Sequence, residues 1–395
     1  MIKVLKLFDK SFAEYFSKMQ GALASRLEEE NIEEATIQQV LKSGFLLWKN
    51  TDTVYDGYYW TTGAMPYKLF ISILKGSTDK ALVRRRTPPV YSINSLEDAE
   101  KVLELPQYKK IKDDICFRGQ VRHFSAQRPY PHPFFSDSNG YETLLLPGCW
   151  RKFVEEKEGN HVSNSRPIEM PENFLSILRD RLHYYGIDAA GLRQRNLERY
   201  GFHSVSEVED FPDAESQEFA RRYKEKVNMN PTEQPLLEQH YGFPTVGLDV
   251  TFDLKTALFF ATNRFQIRKE DGKANYKQIR NGHEGVIYLL RFTSPKLMKT
   301  RDMISSIGAF DHIPPIRPIK QTCAIPFFLS HFVNEAAAHI IGILKIGDNF
   351  NSSDLYNSID LFPSKETDPF YRALLELKKE FPEELESIAD YDFTL

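Results

Sequence analysis

Arg118 stands in Ile115-Cys116-Phe117-Arg118-Gly119-Gln120, directly after three apolar residues. A strand of that composition carries its arginine toward the interior, where an unpaired charge is costly. Arg118 therefore calls for a fixed anion, either a carboxylate of the chain or a ligand phosphate gripped by the planar guanidinium. Gly119 has no Cβ and would let a ligand approach the backbone closely. The residues that could share this work lie far along the chain. Asp249 and Thr251 stand two apart in Gln239-His240-Tyr241-Gly242-Phe243-Pro244-Thr245-Val246-Gly247-Leu248-Asp249-Val250-Thr251, hence on one side of a short strand. Asp249 is a candidate partner for Arg118, and Thr251 a candidate cap for the helix that follows. Gln321 interrupts the strand-like stretch from Arg317 to Phe327. A polar side chain there either points at something specific or lies on a wetted edge.

Other chemistries find less support. Asp249, Asp253 and Lys255 are the residue types of a metal-dependent nuclease, but they share one short stretch instead of facing strands. There is no GxSxG elbow, and Cys116, Cys149 and Cys323 include no CxxC pair and no neighbour histidine in sequence. The ten histidines show no HExxH spacing, so no metal is expected. With 51 basic and 55 acidic residues the formal charge is −4, which gives no global electrostatic support for tight nucleic-acid binding. A local basic groove remains compatible with that balance.

These residues need elements to position them. Aromatic residues at helical spacing predict an amphipathic helix from Leu7 to Leu27, and the apolar stretch Ile37–Trp48 reads as a second. Tyr55, Tyr58, Tyr59 and Trp60 form an aromatic cluster before Gly63, and Arg84 to Pro89 reads as a linker. Ser95 with Asp98 predicts a capped helix to about Leu105. Asp114–Gly119 reads as a buried strand, Pro171–Leu182 as a helix and Leu254–Arg264 as another. Glu284–Phe292 and His339–Ile346 have the β-branched character of buried strands, and Tyr371–Phe381 reads as the last helix. Nothing at the N-terminus reads as a signal peptide, and no stretch approaches the roughly 18 apolar residues of a membrane span. The expected location is the cytoplasm.

Taken in order, these stretches resemble the FRG family, named for the Phe-Arg-Gly seen here at Phe117–Gly119. Leu144-Leu145-Leu146-Pro147 with Arg151 fits the leucine-rich element that follows in the family. His240–Thr251, with the apolar Thr256–Ala261, matches its His-Tyr-Gly-x-Pro-Thr-x-x-Leu-Asp-x-Thr block, less specific elements being Arg317 with Gln321 and Leu361-Phe362-Pro363. The resemblance spans about residues 88–378, and the central block is its most specific part. FRG domains in turn resemble ADP-ribosyltransferases of the R-S-E type in the order of their motifs.

That resemblance implies an α+β fold with split mixed and antiparallel sheets flanked by helices. A mostly helical region would precede it at residues 1–87, and an acidic tail would follow at 379–395. It implies NAD as substrate, with Arg118 gripping a phosphate beside Gly119, His240 and Asp249. Thr251 would hold the nicotinamide ribose or shape the pocket floor, Tyr241 or Phe260 would stack on the nicotinamide, and Gln321 would sit near the place of the catalytic glutamate. A glutamine there brings no charge. A carboxylate about 5 Å from an oxocarbenium-like centre is worth roughly 3 kcal/mol at an effective dielectric near 20, so Gln321 marks either a slower or differently powered transferase or one whose carboxylate comes from elsewhere, with Glu284, Glu335 and Asp249 as candidates. The activity implied is ADP-ribosyl transfer or NAD hydrolysis by an intracellular toxin or antiphage effector. Its acceptor would be a protein or a nucleic acid, with an antitoxin as a further partner. The alternative is a nucleotide-binding or partner-binding module without catalysis.

Overall fold

The computed structural model describes residues 10–48, 51–77, 87–147, 155–157, 160–162, 240–242, 248–279, 284–292, 297–299, 316–326, 334–380, 382 and 386–392. The predicted helix at Pro171–Leu182 lies outside them.

The chain opens with helix α1 (Lys10–Glu29), which buries Met19, Leu23 and Leu27 at four-residue intervals on one face. The second apolar stretch splits where one long helix was expected. Helix α2 (Glu34–Lys42) stops at a turn whose Gly44 has φ +94°, and strand β1 (Phe45–Leu47) follows with all three side chains buried. Glycine tolerates that left-handed turn, and the reversal lets β1 pair with β2 (Thr53–Asp56), itself paired with β3 (Trp60–Pro66). Helix α3 (Tyr67–Leu74) closes this unit with Tyr67, Phe70 and Ile71 inside. The N-terminal region therefore contains a three-stranded antiparallel sheet as well as helices.

The main body is a seven-stranded sheet. It uses β4 (Val90–Ile93), β5 (Ile115–Gln120), β10 (Val250–Thr251), β13 (Val286–Arg291), β14 (Leu297–Lys299), β15 (Cys323–Pro326) and β16 (Ile340–Ile346). Their order is β14-β15-β10-β5-β13-β16-β4, antiparallel throughout except for the β16–β4 pair. Two small hairpins, β6 (Ser125–Gln127) with β7 (Tyr141–Thr143) and β8 (Glu155–Lys157) with β9 (Asn160–Val162), fall between β5 and β10 in sequence. The chain is thus a mixed α+β structure with several sheets.

Alternation along β5 sorts its side chains between two cores. Ile115 and Phe117 join Ile287, Leu289 and Leu344 under α4 (Leu96–Leu103), α5 (Pro106–Lys109) and α6 (Leu254–Thr262). Cys116 faces the other way with Val250, Tyr288, Leu145 and Ala336. Ser95 caps α4 by accepting from the Asp98 amide at 3.1 Å, as its sequence predicts.

Two glycines let α6 lie close on the sheet. A Cβ on Gly119 would overlap the Ala257 carbonyl oxygen and stand 2.7 Å from its carbon, and one on Gly285 would overlap the Ala261 oxygen. Gly119 therefore makes room for a helix of its own chain, where the sequence suggested room for a ligand.

The N-terminal unit is fastened to the body through Arg128. This buried guanidinium pairs with Asp56 at 2.7 Å and Glu142 at 2.9 Å, and donates to the Ser43 carbonyl at 2.6 Å. Tyr59 hydroxyl donates to Glu142 at 2.9 Å, and Asn334 bridges outward to Tyr59, the Thr143 carbonyl and the Leu145 amide. The two carboxylates share the one guanidinium, and further donors from Tyr58, Tyr59 and His132 help hold them in the interior.

After α8 (Ser358–Leu361) and α9 (Pro369–Glu380), the chain returns as a strap. Residues 386–392 were expected to be part of a solvated acidic tail. Instead Ile388 is fully buried, and the Ala274 amide donates to the Asp390 carbonyl at 2.7 Å. Asp392 pairs with Arg268 at 2.7 Å, beside the ribbon β11 (Asn263–Ile267) and β12 (Ala274–Gln278). Ile388 and Tyr391 are apolar anchors that the surrounding acidic residues mask in a charge count.

Candidate functional site

The central strands bring Arg118, His240, Asp249, Thr251 and Gln321 into one connected network. Arg118 lies in the middle of β5, opposite Tyr288 of β13, and is half-buried. Its Nη1 donates to the main-chain carbonyl of Asp249 at 2.5 Å. The predicted relation between Arg118 and Asp249 thus runs through the backbone. The Asp249 carboxylate turns instead toward His240, with Oδ1 3.7 Å from Nε2.

Thr251 pairs with Phe117 on one side and Cys323 on the other. Its hydroxyl donates to the Gln321 carbonyl at 2.7 Å and accepts from the Asp253 amide at 3.0 Å. Capping of α6 falls to Asp253, which accepts from the Lys255 and Thr256 amides at 3.3 and 3.0 Å. Asp253 starts the helix, and Thr251 ties that start to the turn holding Gln321.

Gln321 is buried, which removes the wetted-edge alternative. It sits in a turn after α7 (Ile316–Lys320), where the following Thr322 has φ +49°, and not inside a strand. Its Nε2 donates to the Leu361 carbonyl at 3.1 Å, which leaves Oε1 as an acceptor for His240 Nδ1 at 3.1 Å. Since Oε1 cannot donate, Nδ1 carries the proton and Nε2 holds the lone pair of the neutral ring. Burial, with the Arg317 charge, pushes the His240 pKa down against the opposing pull of Asp249. The neutral ring is therefore the form at neutral pH. Neither His240 Nε2 nor Asp249 Oδ1 has a hydrogen-bond partner.

Arg317 supports this arrangement from behind, a role sequence reasoning did not give it. Only 1% exposed, it donates from Nη1 to the His240 carbonyl at 2.9 Å. Its own carbonyl accepts the Gln321 amide at 3.1 Å. The rings of Tyr371, Tyr241, Tyr391 and Phe362 lie 4.6, 4.7, 4.8 and 5.3 Å from the guanidinium carbon. Aromatic faces attract a desolvated cation by about 2 kcal/mol each at best. The spacing of Arg317 and Gln321, one helical turn apart, was the available clue. Nothing in sequence announced Tyr391.

Other expected residues are placed differently. Tyr241 is buried against Phe370 and Tyr371, with its hydroxyl donating to Asp368 at 2.8 Å, so its ring is a wall of the arginine box and has no open face for nicotinamide. Phe260 packs with Phe259, Tyr276 and Phe362. Glu284 is exposed and forms an isolated bridge with Arg122 at the entry to β13, outside the network. Glu335 is buried in the turn Glu335–His339 beside Asn334. Cys323 lies next to Gln321, but burial first and the Asp249 charge second push its thiol well up, so it supplies no thiolate. Leu144, Leu145 and Leu146 are core residues, whereas Arg151 and residues 243–247 lie outside the described residues.

The network joins the start of α6 to the block around His240, and there the family comparison falls. The FRG domain model matches residues 191–270. That stretch is similar to an FRG domain. The match takes in His240, Asp249, Thr251 and α6 of that domain, while Phe117–Gly119, Gln321 and Leu361–Pro363 lie beyond it in sequence. No curated protein and no solved structure matches the chain. Among the described residues, no helix is long and apolar enough to cross a membrane, and no group of three His, Cys, Asp or Glu could hold a metal ion.

Chemically, the site combines a guanidinium, a carboxylate with a third of its surface exposed, and a buried imidazole of fixed tautomer. That combination suits a ligand carrying phosphate together with a centre that becomes positive during reaction.

Proposed function

We propose that this FRG protein binds NAD and cleaves its nicotinamide–ribose bond, transferring ADP-ribose to a macromolecule or to water. The observation that carries the reading is convergence. Residues from three separate stretches meet in one hydrogen-bonded network around β5 and β10. Arg118 supplies the phosphate grip, and a charge-assisted bond of that kind is worth about 1.5–3 kcal/mol. An ADP-ribosyltransferase-like sheet, an intracellular toxin or defence role, a protein or nucleic-acid acceptor and an antitoxin all belong to this same reading.

The test is incubation of the full chain with NAD while free nicotinamide is followed, with and without protein and nucleic-acid acceptors. Arg118→Lys keeps the charge but loses the fork, and is expected to weaken NAD binding by about tenfold or more. Nicotinamide release in none of these mixtures would overturn the proposal. One observation favours a second reading, a nucleotide-binding module without turnover. Both ends of the Gln321 amide are spent on Leu361 and His240, so this side chain is a holder. Tight NAD binding without release would select that reading.

A further inference from the structure

Resting on the proposed NAD cleavage, we infer that Asp249 is the carboxylate that drives it, beside a His240 ring whose tautomer Gln321 fixes. Each rival carboxylate near the network is otherwise occupied or placed elsewhere. Asp253 spends Oδ1 and Oδ2 on the first turn of α6. Asp368 accepts from Tyr241, Tyr371 and the Arg317 amide. Glu284 stands exposed beside Arg122 and Glu335 lies buried beside Asn334. Asp249 alone among them combines membership of the Arg118 network with a side chain 32% exposed and an oxygen that no donor satisfies.

A chain of hydrogen bonds with one polarity ends at the ring beside it. Leu361 accepts from Gln321, Gln321 accepts from His240 Nδ1, and His240 Nε2 faces Asp249 Oδ1. Arg118 fixes the main chain of the same residue by its carbonyl. Oδ1 gains no hydrogen bond from the Nε2 lone pair, so the carboxylate charge is left to act on a centre that becomes positive at its exposed side.

The step balances without a further reactant. The bond between C1′ of the ribose and the pyridinium nitrogen breaks, and its electron pair leaves with nicotinamide, which departs neutral. The positive charge passes to C1′ and the ring oxygen, facing Asp249. An acceptor hydroxyl or water then bonds to C1′ and gives its proton to the Asp249 carboxylate, which releases it to solvent. The glutamine at Gln321 fixes the His240 tautomer and supplies no carboxylate itself.

Nicotinamide release and NAD binding, measured on the full chain and three variants, test the assignment. Asp249→Asn, nearly isosteric, is expected to lower kcat about a hundredfold while the NAD dissociation constant stays within a few-fold. Glu284→Gln is expected to leave both unchanged. His240→Gln should lower kcat by less than Asp249→Asn and shift the pH profile of kcat, a readout that a packing defect would not move. If the wild type releases nicotinamide and Asp249→Asn does so equally fast, the assignment falls while NAD cleavage stands. If Glu284→Gln abolishes release, Glu284 is the carboxylate. If the wild type releases none, NAD cleavage falls and the assignment with it.

Discussion

Replacing Gly119 by alanine tests what the glycine of the Phe-Arg-Gly motif is for. The added Cβ would overlap the Ala257 carbonyl oxygen and stand 2.7 Å from the Ala257 carbon and 3.0 Å from the Ala261 nitrogen. Carbon atoms in good contact sit about 3.5–4.0 Å apart, so α6 must retreat by about 1 Å. The obstacle is main chain, and it cannot rotate away as a side-chain tip would. Retreat is also opposed from behind, where Phe259 packs on Phe362 and Tyr276. Overpacking a core costs about 1–3 kcal/mol, and a backbone obstacle places Gly119→Ala at the upper end, near 3 kcal/mol. Denaturant unfolding followed by circular dichroism should show a lowered midpoint with an unchanged slope. Gly285→Ala should behave alike, because its Cβ would strike Ala261 one turn further along the same helix. The double variant should lose less than the sum, since one retreat relieves both contacts. If Gly119→Ala unfolds at the wild-type midpoint yet binds NAD more weakly, the glycine serves a ligand and the packing argument is wrong.

Three further outcomes follow from buried charge and from the strap. Arg128→Met leaves Asp56 and Glu142 buried without their counter-charge and should cost about 3–5 kcal/mol by denaturant unfolding at neutral pH. The deficit should shrink in acid, because burial already pushes the Glu142 carboxyl up and protonation removes its charge. His132 is pushed down to about 4, chiefly by burial, so its neutral form stabilises the fold above the unfolded value near 6.5. That contribution, about 3 kcal/mol, is lost as pH falls from 6.5 through 4, and His132→Gln should flatten thermal stability across that window. Tyr391→Ala removes one wall of the Arg317 box while keeping the backbone amide that donates to Tyr371, and should cost about 3–5 kcal/mol, read as a lowered thermal midpoint.

Much of the framework was legible in the residues. Ser95 capping, β5 with its arginine, α6, the β-branched strands β13 and β16 and the final helix follow from local periodicity and end chemistry, and each lies within a few residues of its expected place. The split of the second apolar stretch was not legible, since Phe45–Leu47 is equally apolar as helix or strand and the turn at Gly44 decides it. Within the site, the types and order of Arg118, His240, Asp249, Thr251 and Gln321 singled them out, but not their partners. The strap was hidden because two apolar residues among many acids leave no periodic trace.

The chain's own order of residues determined which groups are available for chemistry and which short elements carry them, because capping and strand alternation act over a few neighbours. Only the tertiary structure decided that Gly119 admits a helix, that Gln321 is a holder and that Arg317 is boxed by rings from Tyr241 to Tyr391. Those outcomes depend on contacts between residues tens to more than a hundred positions apart. Hydrogen-bond polarity and close packing across strands set them, and neither quantity exists until the strands are side by side.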